Sequence, residues 1–216
     1  MDGLRLCVAL GPLALYLLVL GVVNLSRRPL LITGARDNAA LGIGVSGMLL
    51  VGPVELLHPQ AAVNELGWYI WVLSISMYAL ALSLVVLLSR PRLTIYNISL
   101  EELRPLLAEA IEPLDSEHRW AGSSLSLPKL SVQLHVDCNQ LMRNVSLVAV
   151  GDQQSYTGWR QLEKALSARL APARVAPNVW GLTLSLSAVL MVAAMAIQMT
   201  VHGRQMADAL RDMLKL

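Results

Sequence analysis

The sequence predicts an α-helical membrane protein with four transmembrane helices and a small two-layer α+β domain, in the order βαβββα, inserted between helices three and four. Three observations predict it. The chain of 216 residues is 55% hydrophobic and only 15% charged, with a mean hydropathy of +0.55, far from the soluble average. The surplus is aliphatic, since aromatics make up 5% and Phe is absent, which suits lipid-facing helices better than an over-packed core. Between residues 93 and 174 the pattern changes, and this stretch holds about half of the charged side chains with apolar residues in regular periods. A net charge of +2 gives no ground for a nucleic-acid surface. Two cysteines, Cys7 and Cys138, make neither a disulfide framework nor a zinc quartet.

Crossing a hydrocarbon layer takes about 20 apolar residues at a rise of about 1.5 Å each. Residues 6–25 form the first such stretch and carry no charge. The run is longer than a signal-peptide core and no small-residue cleavage site follows it, so an uncleaved helix is expected. Residues 39–57 form the second stretch, which is Gly-rich and holds Pro53 and Glu55 near its end. The third, residues 67–89, opens on Trp68, Tyr69 and Trp71, and the fourth, residues 178–201, is led by Trp180. Such aromatic rings sit best at the membrane interface. Arg27, Arg28 and Arg36 crowd the first connection, the second has no Lys or Arg, and Arg90 and Arg92 follow the third helix. Cationic connections stay on the cytoplasmic side, so the N-terminus is expected outside and residues 93–174 in the cytoplasm of a plasma or inner membrane.

In that domain Leu93 to Ile98 alternates as a strand, and Ser99 to Glu102 spells a capping box. A helix should follow, with Leu100, Leu103, Leu106, Leu107, Ala110, Ile111 and Leu114 on its apolar face; Pro105 implies a kink or a start at Arg104. Residues 124–127 and 130–137 read as a hairpin, residues 145–150 as a further strand, and residues 157–170 as a second helix stopped by Pro172. Residues 202–216 carry Met206, Leu210, Met213 and Leu214 on one side and suggest a short amphipathic tail helix that rests on the bilayer or on a protein.

Gly42, Gly44 and Gly47 spell a dinucleotide fingerprint, but no strand precedes them and they lie in an apolar run. They read as helix packing instead: Ala40 with Gly44, and Gly42 with Ser46, are small residues four apart that let another helix approach. Glu55 and His58 are three apart, in the manner of carboxylate–histidine metal sites, and His202 on the same expected side completes a candidate polar cluster. A carboxylate that reaches water at the interface is the simpler account of Glu55 and is preferred. His135 and Asp137 lie on the polar face of a strand that ends at Cys138, where alternation alone accounts for their direction.

The expected function is therefore non-catalytic: a multi-pass membrane protein presenting its α+β domain as an interaction or scaffold module, or as a subunit of a membrane assembly. The alternative is a transporter-like, metal- or proton-linked protein built on Glu55, His58 and His202. A hydrolase or transferase using His135, Asp137 and Cys138 would need a pocket. No cofactor and no catalytic or metal-binding set is expected. The partners are membrane lipid and a protein, or a second copy met through the Gly-rich helix, the soluble domain or the tail.

Overall fold

The computed structural model describes residues 3–54, 68–152 and 154–214. The chain forms two compact units. One comprises Met1–Leu20, Asn38–Leu88 and Leu184–Leu216, and the other Gly21–Asp37 and Ser89–Thr183.

The first unit is helical. Helix α1 spans Gly3–Leu25, α2 Gly34–Leu49, α3 Tyr69–Leu88 and α6 Trp180–Leu214. Among the described residues, three stretches are long and apolar enough to cross a membrane: Gly3–Leu25, Tyr69–Leu88 and Trp180–Gly203, with hydropathies of 2.5, 2.3 and 2.0. Their side chains face outward, as lipid-facing residues do; Leu87 and Leu88 are 80% and 75% exposed. The second expected stretch differs. Helix α2 gives way at Leu50 to a π-helical turn, Leu50–Val54, where Pro53 removes a backbone donor. Residues 55–57 lie outside the described residues. The fourth stretch and the tail, expected as separate helices, are two helical segments that meet at a kink, where the backbone departs from helical geometry at His202 (φ −119°, ψ 20°), next to Gly203.

The second unit is a six-stranded antiparallel sheet covered by two helices. In chain order its strands are β1 (Leu30–Thr33), β2 (Arg92–Tyr96), β3 (Arg119–Ala121), β4 (Ser124–Leu127), β5 (Val132–Asn139) and β6 (Asn144–Ala149). In space the order is β1-β2-β6-β5-β4-β3. Helices α4 (Leu100–Ile111) and α5 (Tyr156–Leu170) bury Leu103, Leu107, Ile111, Trp159, Leu162 and Leu166 against the alternate sheet residues Leu93, Ile95, Leu125, Leu127, Leu134 and Leu147. Period-two and period-3.6 patterns thus meet in one core.

Helix α4 starts at Leu100 rather than Arg104, because the Ser99 capping box is complete: the hydroxyl accepts from the Glu102 N–H and the Glu102 carboxylate accepts from the Ser99 N–H. Pro105 is carried within the helix. The strand order departs from βαβββα in two places. Strand β3 is an additional edge strand of three exposed residues, too short to show alternation, and it folds onto β4 through Gly122 at φ +63°. Strand β1 comes from the connection between the first two helices and pairs with β2, Leu31 opposite Ile95 and Thr33 opposite Leu93. Its partner lies about sixty residues away in the chain, so no local pattern announces it.

Candidate functional site

The sheet-bearing unit contains the last turn of α1, the first turn of α2 and the first turn of α6. Polar side chains in otherwise apolar surroundings hold these turns to the sheet. Asn24, near the end of α1, is 1% exposed. Its carbonyl accepts the Asn178 N–H (2.8 Å) and its Oδ1 accepts from Asn178 Nδ2 (3.4 Å). Asn178 also donates to the Leu141 carbonyl in the β5–β6 turn (3.3 Å), and its own Oδ1 accepts the Trp180 N–H (3.2 Å), capping α6. A Cβ on Gly181 would stand 2.9 Å from both the Gly21 carbonyl and the Asn24 Cβ, so α1 and α6 close on each other at a glycine. Asn97 is fully buried, takes a left-handed turn (φ +60°) at the end of β2, and donates from Nδ2 to the Ser26 carbonyl. The Val175 N–H donates to the Arg27 carbonyl (3.1 Å).

Asp37 makes a second clamp. It lies in the first turn of α2, where exposed N–H groups favour a carboxylate. Its Oδ1 accepts from the Tyr96 hydroxyl (2.6 Å) and its Oδ2 from Arg92 Nη2 (2.9 Å). Both donors belong to β2, so α2 is fastened to the strand that β1 also pairs with.

The third clamp joins α4 to the β5–β6 turn. Arg143 donates from Nη2 to Glu102 Oε2 (2.7 Å), and its carbonyl accepts the Ile98 N–H (2.7 Å). Partial burial raises the pKa of Glu102, but hydrogen bonds from the Ser99 backbone, Arg143 and the Ser99 hydroxyl outweigh it, so the group titrates below its ordinary range. The clamps join carboxylates and amides to hydrogen-bond partners of the same chain, which positions the elements that carry them.

The glycines of α2 meet neighbours within the helical unit. A Cβ on Gly42 would collide with the Leu82 side chain, one on Gly44 with the Tyr16 ring, and one on Gly47 with the Val8 carbonyl. The Tyr78 hydroxyl donates to the Gly42 carbonyl (2.6 Å). Gly42, Gly44 and Gly47 are buried, Ala40 is exposed, and Ser46 turns its hydroxyl to the Ile43 carbonyl (2.8 Å). The notches are therefore filled by α1 and α3 of the same chain.

Of the candidate polar cluster, Glu55 and His58 lie outside the described residues and His202 is exposed at the kink of α6. Among the described residues, no three metal-capable side chains come together. His135 Nδ1 is 3.3 Å from the hydroxyls of both Ser123 and Ser124. The β5 alternation turns Cys138 to the sheet face opposite His135 and Asp137, so these three side chains do not converge.

Sequence reasoning missed Asn24, Asp37, Asn97 and Asn178, because single polar residues at the ends of apolar runs have no period. One signal was present. Leu25-Ser26-Arg27-Arg28-Pro29 and Leu88-Ser89-Arg90-Pro91 end two apolar helices alike, and each is followed by a short strand. No protein-family model matches the chain, and neither the curated proteins nor the solved structures contain a significant match.

Proposed function

We propose that the protein is a multi-pass membrane protein of four spans that holds its α+β domain at the cytoplasmic face of a plasma or inner membrane as an interaction module, a non-catalytic part of a membrane assembly. The observation that carries this reading is the pairing of β1 with β2. Both strands follow apolar helices, and strands of one sheet lie on one side of a membrane. The chain between Thr33 and Arg92 must then cross an even number of times. Helix α3 accounts for one crossing, so the segment before it owes another. Helix α2 and its π-helical turn run from Gly34 to Val54, and at about 1.5 Å per residue they reach roughly 31 Å. That length matches a hydrocarbon layer of about 30 Å.

The arginines of the two strand-side connections favour the cytoplasm for the sheet. The helices cover one face of the sheet, and the other presents Ser124, Ser126, Gln133, His135 and Asp137, small polar groups suited to a protein partner. Thiol labelling tests the topology. An impermeant maleimide should reach a cysteine placed at Ala62 in intact cells and Cys138, which is exposed, only after permeabilisation. Labelling of Cys138 in intact cells would overturn the orientation, and labelling of both positions from one side would overturn the span count. The module reading expects the protein, extracted in mild detergent, to migrate as an assembly. Migration as a lone 23.5 kDa chain with its detergent belt, under conditions that keep the sheet folded, would count against it.

A further inference from the structure

The three stretches that join helix ends to the sheet, residues 21–36, 89–100 and 171–183, contain six arginines, no lysine and no Asp or Glu. Arg92 is committed to Asp37. The other five, Arg27, Arg28, Arg36, Arg90 and Arg174, are exposed, and among the described residues none of them has a carboxylate partner. The fold gathers them. The Val175 N–H to Arg27 carbonyl bond makes Arg174 a neighbour of Arg27 and Arg28, at the start of β1. At its other end β1 runs into α2, which carries Arg36, and Thr33 pairs with Leu93, three residues after Arg90. The four residues of β1 separate the two groups by roughly 13 Å, at about 3.3 Å per residue. Each group adjoins an apolar helix end, and Trp180, half-exposed at the start of α6 and six residues after Arg174, suits a membrane interface. The connection on the other side, residues 55–67, carries Glu55 and Glu65 and no Lys or Arg.

Each patch is a cluster of exposed guanidinium groups that has no carboxylate partner among the described residues and follows an apolar helix, an arrangement that attracts anions. A guanidinium presents a planar fork of donors that fits phosphate oxygens in pairs. We infer that the two patches at the ends of β1 bind the phosphate groups of anionic phospholipids, one patch formed by Arg27, Arg28 and Arg174 and the other by Arg36 and Arg90. The inference rests on the membrane-inserted reading above and adds the headgroup class. Binding there makes lipid a further ligand of the sheet edge.

The test uses the full-length protein reconstituted in nanodiscs of equal phosphatidylglycerol and phosphatidylcholine. Retained lipids are counted by native mass spectrometry after mild detergent release. The expected result is an enrichment of phosphatidylglycerol of at least about fivefold, the gain that one arginine near an anionic surface gives. The enrichment should fall as ionic strength rises and approach unity in R27Q/R28Q/R174Q combined with R36Q/R90Q. The triple variant R104Q/R160Q/R169Q removes three charges from α4 and α5 and should keep it. Equal retention of the two lipids by the unaltered protein overturns the inference, and that measurement needs no variant. Inorganic phosphate titrated onto protein in neutral detergent distinguishes the sources. A thermal shift as large as that given by phosphatidylglycerol would assign the site to free phosphate and overturn the lipid assignment. Failure to incorporate into nanodiscs at all would sink the membrane reading itself, an outcome distinct from incorporation without selectivity.

Discussion

Asp37 shows how much one side chain decides here. It accepts from Tyr96 and Arg92 while itself mostly sheltered from water. Asp37→Ala removes the carboxylate that both donors share and should lower stability by about 1 kcal/mol, the net worth of such bonds. The loss should appear as faster amide exchange across β1 and β2 and a lower unfolding midpoint; unchanged protection in Leu31 to Thr33 would refute the clamp. Glu102 supplies a pH-dependent counterpart. Its folded pKa is depressed by Ser99 and Arg143, so its contribution to stability is fully present above the unfolded value of about 4.3 and is lost as pH falls through the lower folded value. Arg143→Gln should flatten that acid limb of the stability curve relative to the unaltered protein. An identical acid limb in both proteins would mean that Arg143 does not hold the carboxylate.

At the scale of the element, α2 and β1 are the two whose meaning depends on neighbours. Helix α2 is buried at Gly42, Gly44 and Gly47, each against a different atom of α1 or α3. Gly47 faces backbone, the Val8 carbonyl, which cannot rotate aside. Gly47→Leu should therefore destabilise the helical unit by about 1–3 kcal/mol or more, through displaced backbone. Gly47→Ala places only a Cβ against the same carbonyl and should already lower the unfolding midpoint; an unchanged midpoint would contradict the packing. The small-residue spacing was legible in the sequence, whereas the identity of the neighbouring helix was not. Spacing says how closely something can approach, and only a folded chain says what does. Strand β1 is the converse case. Its four residues carry no usable pattern, and its pairing with β2 is set by contacts far along the chain.

The whole molecule depends on that strand. Thr94 and Tyr96 of β2 are buried although β2 would be an edge without β1. A fragment of residues 89–183 would expose the open side of β2, and an uncovered edge of this kind recruits other chains. The fragment should self-associate in size-exclusion chromatography and unfold at a lower temperature than the intact protein. A monomeric fragment of equal stability would show that the first connection is not an integral part of the domain. Seen this way, the domain is not an insertion between the last two apolar stretches alone. It is assembled from chain on both sides of α2 and α3.

Local physics carried the sequence a long way. Hydropathy over about 20 residues set three membrane-length helices, since lipid selects for length and apolarity alone. Alternation and a complete capping box set β2, β4, β5, β6 and both covering helices, because the periods of strand and helix are written into consecutive residues. Asn24, Asn97 and Asn178, the Asp37 clamp and β1 were decided by tertiary structure only. Their stability comes from hydrogen bonds between residues distant in the chain, and a polar group at the end of an apolar run has the same local appearance whether it meets water or a partner buried with it.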